Sequence, residues 1–103
     1  MQSDGGGWRS ERNYRADMPT ISEFFGIAIS MYYNDHAPPH FHAEYAEDEV
    51  VIRIDSLSVR SGGVPPRSLA MVREWAAQHR EELLVDWDLA RRGLPLRRIA
   101  PLK

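Results

Sequence analysis

The sequence predicts an α+β fold in which a three- to four-stranded antiparallel meander packs one face against a long C-terminal helix. Apolar residues alternate with a period of two from residue 26 to about residue 54, which is typical of half-buried strands. Apolar residues then recur at steps of three and four between residues 66 and 92, which is typical of an amphipathic helix. The 103 residues provide enough chain for one domain with its own core.

The strands are predicted in order from this alternation. The first begins after Gly26, and the two prolines of segment 34–39 interrupt it because proline has no N–H to donate to a ladder. The second and third are expected around residues 40–45 and 50–55, and residues 57–59 are expected to add a short edge strand. The residues predicted to share the apolar face are Ile29, Met31, Tyr33, Phe41, Ala43, Tyr45, Val50, Ile52 and Ile54.

The helix is predicted over residues 66–92. Two consecutive prolines suit its first turn, and Gly93 followed by Pro95 is a stop signal. This span is about twice the mean helix length, which leaves room for a bend or a break near residues 78–80.

The chain is predicted to divide into three parts. Residues 1–17 combine three consecutive glycines with charged residues and lack apolar periodicity, so we expect a disordered extension. The single α+β domain is expected at residues 18–95, and residues 96–103 form a basic C-terminal tail. Ahead of the first strand, Thr20 and Glu23 have the spacing of a capping box, which favours one helical turn there.

Composition excludes several classes of protein. The chain has no cysteine, so thiolate metal sites, iron–sulfur clusters and cysteine nucleophiles are excluded. Its 13 basic and 15 acidic residues give a net charge of −2, which argues against a nonspecific DNA-binding protein. No apolar run approaches the roughly 18 residues that a membrane span needs, and a signal-peptide core is missing, so we expect a cytoplasmic protein without membrane contact.

Strand parity predicts which polar side chains share a face, because cross-strand partners point to the same side. Pairing Tyr32 with His42 in the first hairpin, and Tyr45 with Val50 in the second, places the whole apolar set on one face. His42 then lies opposite Arg53. The polar residues predicted on the other face are Tyr32, Asn34, His40, His42, Glu44, Arg53 and Asp55, with His36 in the loop above.

The first interpretation of this face is a metal site. The two histidines of the His-x-His pair point the same way, about 6.5–7 Å apart along a strand. Neutral imidazole suits zinc, nickel or copper. The alternative ligand set is His36, His40 and His42, with Glu44 able to replace His36. The positive charge of Arg53, predicted beside His42, would repel a divalent metal ion. The first expectation is therefore that the protein has no metal cofactor.

The second interpretation is RNA cleavage without a metal. Histidine can act as acid or base near neutral pH, and an aspartate opposite His40 can orient it. An arginine can bind phosphate and a tyrosine can stack on a base. The candidate catalytic residues are His40, His42 and Asp55, and the candidate substrate-binding residues are Tyr32, His36 and Arg53.

A third interpretation is structural: Asp35 fixes the turn, and the histidines are partly exposed pairing residues of a noncatalytic surface. That surface would serve a partner-binding or regulatory module.

The segment from Asp35 to Ala43, D-H-A-P-P-H-F-H-A, resembles the bacterial family called domain of unknown function 4160. The resemblance covers about residues 18–98 and includes Glu74-Trp75-Ala76 and Gly93-Leu94-Pro95. It implies that Met18 is the usual start of the chain.

The family has no established activity, so the resemblance implies a role only through gene context. Its members are often encoded beside, or fused to, another small domain of unknown function (number 2442). The resemblance therefore implies one component of a two-gene toxin–antitoxin-like module, whose partner is a small cognate protein encoded nearby. The histidine and arginine face would then contact RNA or that partner.

Overall fold

The computed structural model describes residues 18–103, and the disordered extension expected at residues 1–17 lies outside the described residues. Five strands form one antiparallel meander in chain order, followed by two helices. The α+β class is confirmed, whereas the predicted strand number and the single helix are wrong in detail. The elements are β1 (Thr20–Phe24), β2 (Ile27–Ser30), β3 (His40–Tyr45), β4 (Asp48–Arg53), β5 (Val59–Gly62), α1 (Pro66–Gln78) and α2 (Arg80–Arg91).

β1 occupies the segment where the capping-box spacing favours a helical turn, so that prediction is wrong. The turn between β1 and β2 consists of Phe25 and Gly26, with φ of 49° and 79°. Tight hairpin turns with positive φ at both residues match the twist of paired strands. Ile21 and Phe24 are buried. Strand pairing and burial therefore outweigh a local helix signal.

Both central hairpins differ from the predicted register by two residues. Ser30, rather than Tyr32, pairs with His42. His42 in turn lies opposite Val51, and His40 lies opposite Arg53, so the predicted pairs His42–Arg53 and His40–Asp55 are wrong. A shift of two preserves side-chain parity, and the predicted division between the apolar and polar faces is therefore confirmed.

The turn geometry explains the shifts. The β3–β4 turn consists of Ala46 and Glu47 alone, with φ of 54° at Ala46, and it lacks the Asn-Gly or Asp-Gly signature of such turns. In the β2–β3 hairpin the ladder ends at the pair Ser30–His42. The connection therefore extends over residues 31–39.

The two helices cover the apolar face of the sheet. They are separated at His79, within the segment where the sequence left room for a break. The Trp75 ring packs against Phe24 and Phe41 with centroid distances of 5.5 and 6.0 Å, and its indole N–H donates to the Ala100 carbonyl. Among residues 18–103, neither helix is both long and apolar enough to cross a membrane.

Residues 96–103, predicted as a basic tail, lie against the domain. Ile99 and Leu102 are buried in the core. The Ile99 N–H donates to the carbonyl of Ile21 at 2.8 Å, which holds the segment beside β1. The predicted division at residue 95 therefore separates two segments that pack together.

Candidate functional site

The candidate site lies where the loop 31–39 folds back over the start of β3. His40 and His42 alternate along β3 with the core residues Phe41 and Ala43, yet they are only 4% and 9% exposed, and the His40 ring packs against Trp87 of α2 at a centroid distance of 5.1 Å. The loop is attached to α2 because the Asn34 N–H donates to the Ala90 carbonyl at 3.2 Å. This connection places Asp35 directly above the two histidines.

Two imidazoles and one carboxylate converge here. His40 Nε2 lies 2.8 Å from Asp35 Oδ2, and His42 Nε2 lies 3.7 Å from the same oxygen. One ligand atom from each of the three residues lies within 4.8 Å of those of the other two. We call this group the Asp35–His40–His42 cluster.

The opposite ring nitrogen of each histidine has a partner that accepts a hydrogen bond. His40 Nδ1 lies 2.8 Å from the carbonyl oxygen of Pro38, and His42 Nδ1 lies 2.8 Å from Glu49 Oε2. A carbonyl or carboxylate oxygen only accepts, so Nδ1 donates in both contacts. In a neutral His42 imidazole, Nε2 then carries a lone pair directed into the cluster, whereas His40 Nε2 also faces an acceptor, Asp35 Oδ2, at 2.8 Å.

The position of Glu49 is fixed by the backbone of β5. Gly62 has a φ of 71°, and a Cβ at this position would overlap the carbonyl oxygen of Glu49. The Gly63 N–H donates to the same carbonyl oxygen at 3.0 Å. Close strand approach, which only glycine permits here, therefore holds Glu49 within reach of His42.

The Asp35 carboxyl is more acidic than an ordinary aspartate. Burial alone would raise the pKa of Asp35, but the His36 N–H, the hydrogen bond from His40 and the two imidazoles outweigh it and lower this pKa. His40 Nε2 and Asp35 Oδ2 lie 2.8 Å apart, so a proton or a metal ion must lie between them. His42 Nε2 is buried and has no hydrogen-bond partner among the described residues.

The cluster opens into a pocket of about 470 Å³. Tyr32 and His36 line this pocket beside the cluster, and Arg60 of β5 lines it from the other side. The Tyr32 ring meets the His42 ring edge-on, with a centroid distance of 4.8 Å. The contact between Tyr32 and His42 expected from the sequence is thus present, although their backbone pairing is not.

The structure brings four of the predicted site residues to the pocket: Tyr32, His36, His40 and His42. Arg53 and Asp55 instead form a two-bond ion pair with each other on the exposed surface, at 3.1 and 2.7 Å. The hydrogen bond from Arg53 lowers the pKa of Asp55 to about 2. The carboxylate that contacts His40 belongs to Asp35.

Three residues of the site have no role in the sequence-based interpretations of its chemistry: Asp35, Glu49 and Arg60. From the sequence, Asp35 is interpreted as a turn residue. In the structure Asp35, and not His36, is the third member of the Asp35–His40–His42 cluster. A two-residue turn between β3 and β4 would have placed Glu49 on the face of His42. Arg60 has no sequence signal beyond its position in the edge strand.

The family comparison matches the part of the chain that contains this site. The model described as Domain of unknown function (DUF4160) matches residues 26–88, more than half of the chain. This range includes the Asp35–His40–His42 cluster together with Glu49 and Arg60. The comparisons with curated proteins and with solved structures gave no match.

Proposed function

The chain belongs to the DUF4160 family, and we propose that it binds one divalent transition-metal ion through Asp35, His40 and His42. The ion would act on a substrate held in the adjoining pocket. The proposal is drawn from the site, since the family description assigns no activity.

The observation that carries the proposal is the buried Nε2 atom of His42. A buried polar atom without a hydrogen bond costs roughly 1–3 kcal/mol. The atom lies 3.7 Å from the Asp35 carboxylate and beside a second imidazole. A metal ion at this point would use all three groups as ligands and would remove the cost.

The contacts behind the histidines also fit a metal centre. Histidine ligands in proteins generally donate their other N–H to a carboxylate or a backbone carbonyl, which orients the ring. His42 donates to Glu49 and His40 donates to the Pro38 carbonyl. In His42, the nitrogen left with a lone pair is the one that faces Asp35. In His40, the nitrogen that faces Asp35 lies 2.8 Å from its carboxylate oxygen, the position that a proton or a metal ion would bridge.

The ligand spacing supports a small transition-metal ion. Metal–nitrogen bonds of about 2.0–2.1 Å in a tetrahedral site separate neighbouring ligand atoms by about 3.3 Å. The distances from Asp35 Oδ2 to the two Nε2 atoms, 2.8 and 3.7 Å, lie on either side of this value. Two imidazoles and a carboxylate suit zinc, and a site with three protein ligands beside a pocket leaves a position for water or substrate.

The sequence argument against a metal depended on Arg53 lying beside His42. In the structure Arg53 pairs across the ladder with His40, and its guanidinium forms hydrogen bonds with Asp55. The exposed Arg53–Asp55 ion pair balances its own charge. The objection therefore no longer applies to Arg53. The cation in contact with the cluster is Arg60, whose Nη1 lies 3.1 Å from His40 Nδ1.

The test is elemental analysis of the protein purified without a histidine tag. We expect one equivalent of metal, removed by a chelator and restored by zinc. Saturation at a hundred times the dissociation constant should stabilise the fold by about 2.7 kcal/mol, measured as a rise in the unfolding midpoint. Metal well below one equivalent, with no rise in the midpoint on zinc addition, would contradict the proposal.

A second candidate function is metal-independent RNA cleavage within a toxin–antitoxin-like module. The observation that favours it is the 2.8 Å contact between His40 and Asp35, which resembles the orientation of a catalytic histidine by a carboxylate. Expression of the wild type should then arrest growth, His42→Ala should not, and a small cognate protein encoded nearby should relieve the arrest. RNA cleavage that persists in a chelator would favour this candidate. Growth arrest that is unaffected by His42→Ala would instead indicate a noncatalytic partner-binding module.

A further inference from the structure

We infer that the pocket binds the phosphate group of a phosphate ester and that Arg60 is the residue that recognises it. The inference rests on the metal site proposed above and names the substrate class of that site. The phosphate ester has two possible sources, a free nucleotide or an RNA chain. Both present the same chemistry to the pocket.

Arg60 has a charge that its surroundings do not balance. Its Nη1 lies 3.1 Å from His40 Nδ1, and its other guanidinium N–H groups have no acceptor among the described residues. Among the ion pairs within residues 18–103, none involves Arg60. The guanidinium therefore lines the pocket with its donors available to a ligand.

Arg53 on the neighbouring strand provides the contrast. Both arginines are at least partly exposed and lie on adjacent strands of the sheet. Arg53 directs its guanidinium at Asp55 with two hydrogen bonds. Only Arg60, of these two, lines the pocket beside the Asp35–His40–His42 cluster.

The charge of the metal-loaded pocket selects an anion. A divalent ion bound by one carboxylate and two neutral imidazoles has a net charge of +1. Arg60 adds a positive charge and Glu49, behind His42, adds a negative one, so the site remains positive. Arginine forms paired, charge-assisted hydrogen bonds to phosphate oxygens, and these are stronger than neutral ones. A phosphate group would therefore enter a site of net positive charge and contact both the ion and Arg60.

The remaining walls favour a phosphate attached to an aromatic base. Tyr32 and Tyr33 line the same pocket, and nucleobases commonly stack on tyrosine rings. The pocket volume of about 470 Å³ lies in the usual range for small-ligand sites. A nucleotide unit thus fits both the charge and the lining of the pocket.

The experiment compares Arg60→Gln with the matched control Arg53→Gln in the zinc-loaded full chain. Binding is measured calorimetrically with a 5′-mononucleotide, a short single-stranded RNA and malonate as a dicarboxylate of similar charge. We expect Arg60→Gln to weaken mononucleotide binding by about ten- to a hundredfold. Arg53→Gln should leave it unchanged, and both variants should retain one equivalent of zinc.

The outcomes separate the two proposals. If Arg60→Gln and the wild type bind the mononucleotide equally, or if malonate binds as tightly as the mononucleotide, the phosphate inference is wrong even when zinc is bound. If zinc does not bind but Arg60 still determines nucleotide affinity, the metal proposal fails and the phosphate site stands. Tighter binding of the RNA than of the mononucleotide identifies the RNA chain as the source, and equal binding identifies the free nucleotide.

Discussion

Two buried polar centres in this protein differ in what surrounds them. The Asp35–His40–His42 cluster lies where the loop 31–39 meets β3, and Asp86 is on α2, where it contacts the backbone of the C-terminal segment at Arg97. Each contains a buried atom without a hydrogen-bond partner among the described residues, His42 Nε2 in the first and Asp86 Oδ2 in the second. Only the cluster has further ligand atoms within 4.8 Å and an opening into a pocket. An unpartnered buried atom therefore indicates a binding site only where other ligands converge on it.

The pKa values of the two carboxyl groups are shifted in opposite directions. Hydrogen bonds and nearby imidazoles overcome the effect of burial on Asp35 and lower its pKa. Burial raises the pKa of Asp86, although its Oδ1 accepts a hydrogen bond from the Arg97 N–H at 2.8 Å. The environment of Asp35 therefore favours the anionic form, whereas that of Asp86 disfavours it.

The largest expected effect is the loss of metal binding in His42→Ala. Removing an outer hydrogen bond from a metal ligand typically costs 10–100-fold in affinity, so removing the ligand itself should cost more than about a hundredfold. Zinc affinity is measured by competition with a chromophoric chelator.

The matched control is His36→Ala, because His36 lies in the loop 31–39 that covers the Asp35–His40–His42 cluster but is not one of its members. It should bind zinc as the wild type does. An equal loss in both variants would restore the ligand set His36, His40 and His42 and would remove Asp35 from it. Should His42→Ala fail to fold, His42→Leu provides the same test with the side-chain volume largely kept.

A smaller effect is expected at Glu49, which orients His42 from behind. Glu49→Ala should weaken zinc binding by about 10–100-fold, because the imidazole loses the acceptor that directs its Nε2. Glu49→Gln keeps an oxygen acceptor and should recover most of the affinity. Equal affinity in Glu49→Ala and the wild type would show that the contact has no role in metal binding.

Strand parity is the part of this site that the sequence predicts well. The alternation around His40 and His42 placed both on the face away from the core, and that face was confirmed despite a register error of two residues. Parity is insensitive to such an error because side chains repeat every two residues. Which residues face each other across the ladder does depend on the register. The predicted contacts of Arg53 and Asp55 with the histidines are therefore absent.

The missed ligand shows a different limit. Asp35 reaches the histidines because the loop 31–39 is held by the Asn34 N–H on the Ala90 carbonyl, a contact between residues far apart in sequence. The pattern of apolar and polar residues along a short segment contains no information on such a contact. Similarly, Phe25 and Ala46 adopt a positive φ in two tight turns. Phenylalanine and alanine are rarely found at such positions, so the sequence does not predict these turns.

Asp86→Asn tests the second buried centre through the pH dependence of stability. A pKa raised in the folded state means that the fold binds the proton more tightly, so Asp86 stabilises most in acid and loses this contribution as pH rises above about 3.8. The difference in unfolding free energy between wild type and Asp86→Asn should therefore fall with rising pH. Each tenfold difference in proton affinity between the folded and unfolded states corresponds to about 1.4 kcal/mol.

Denaturant unfolding at pH 4 and pH 8 measures this difference. Arg97 and Glu82 also act on the carboxyl, with opposite signs, and both are retained in the variant. A difference that is constant across this range would show that Asp86 titrates as it does in the unfolded chain. Zinc binding should be the same in Asp86→Asn and the wild type, since the cluster is not altered.

The smallest effect is expected at Asp55, the carboxylate that the sequence interpretation placed beside His40 where the structure has Asp35. The Arg53–Asp55 ion pair is exposed, so salt screens it and its loss should not measurably change the unfolding midpoint at physiological ionic strength. Because the pKa of Asp55 is lowered to about 2, any contribution of the ion pair to stability is present above pH 4 and is lost as pH falls towards 2.

Asp55→Asn should also retain zinc and nucleotide binding, whereas Asp35→Asn should lose zinc. Asp35 contacts His40 at 2.8 Å, and Asp55 is occupied by Arg53. Loss of zinc in Asp55→Asn with retention in Asp35→Asn would transfer the acidic role to Asp55 and would contradict the proposed cluster.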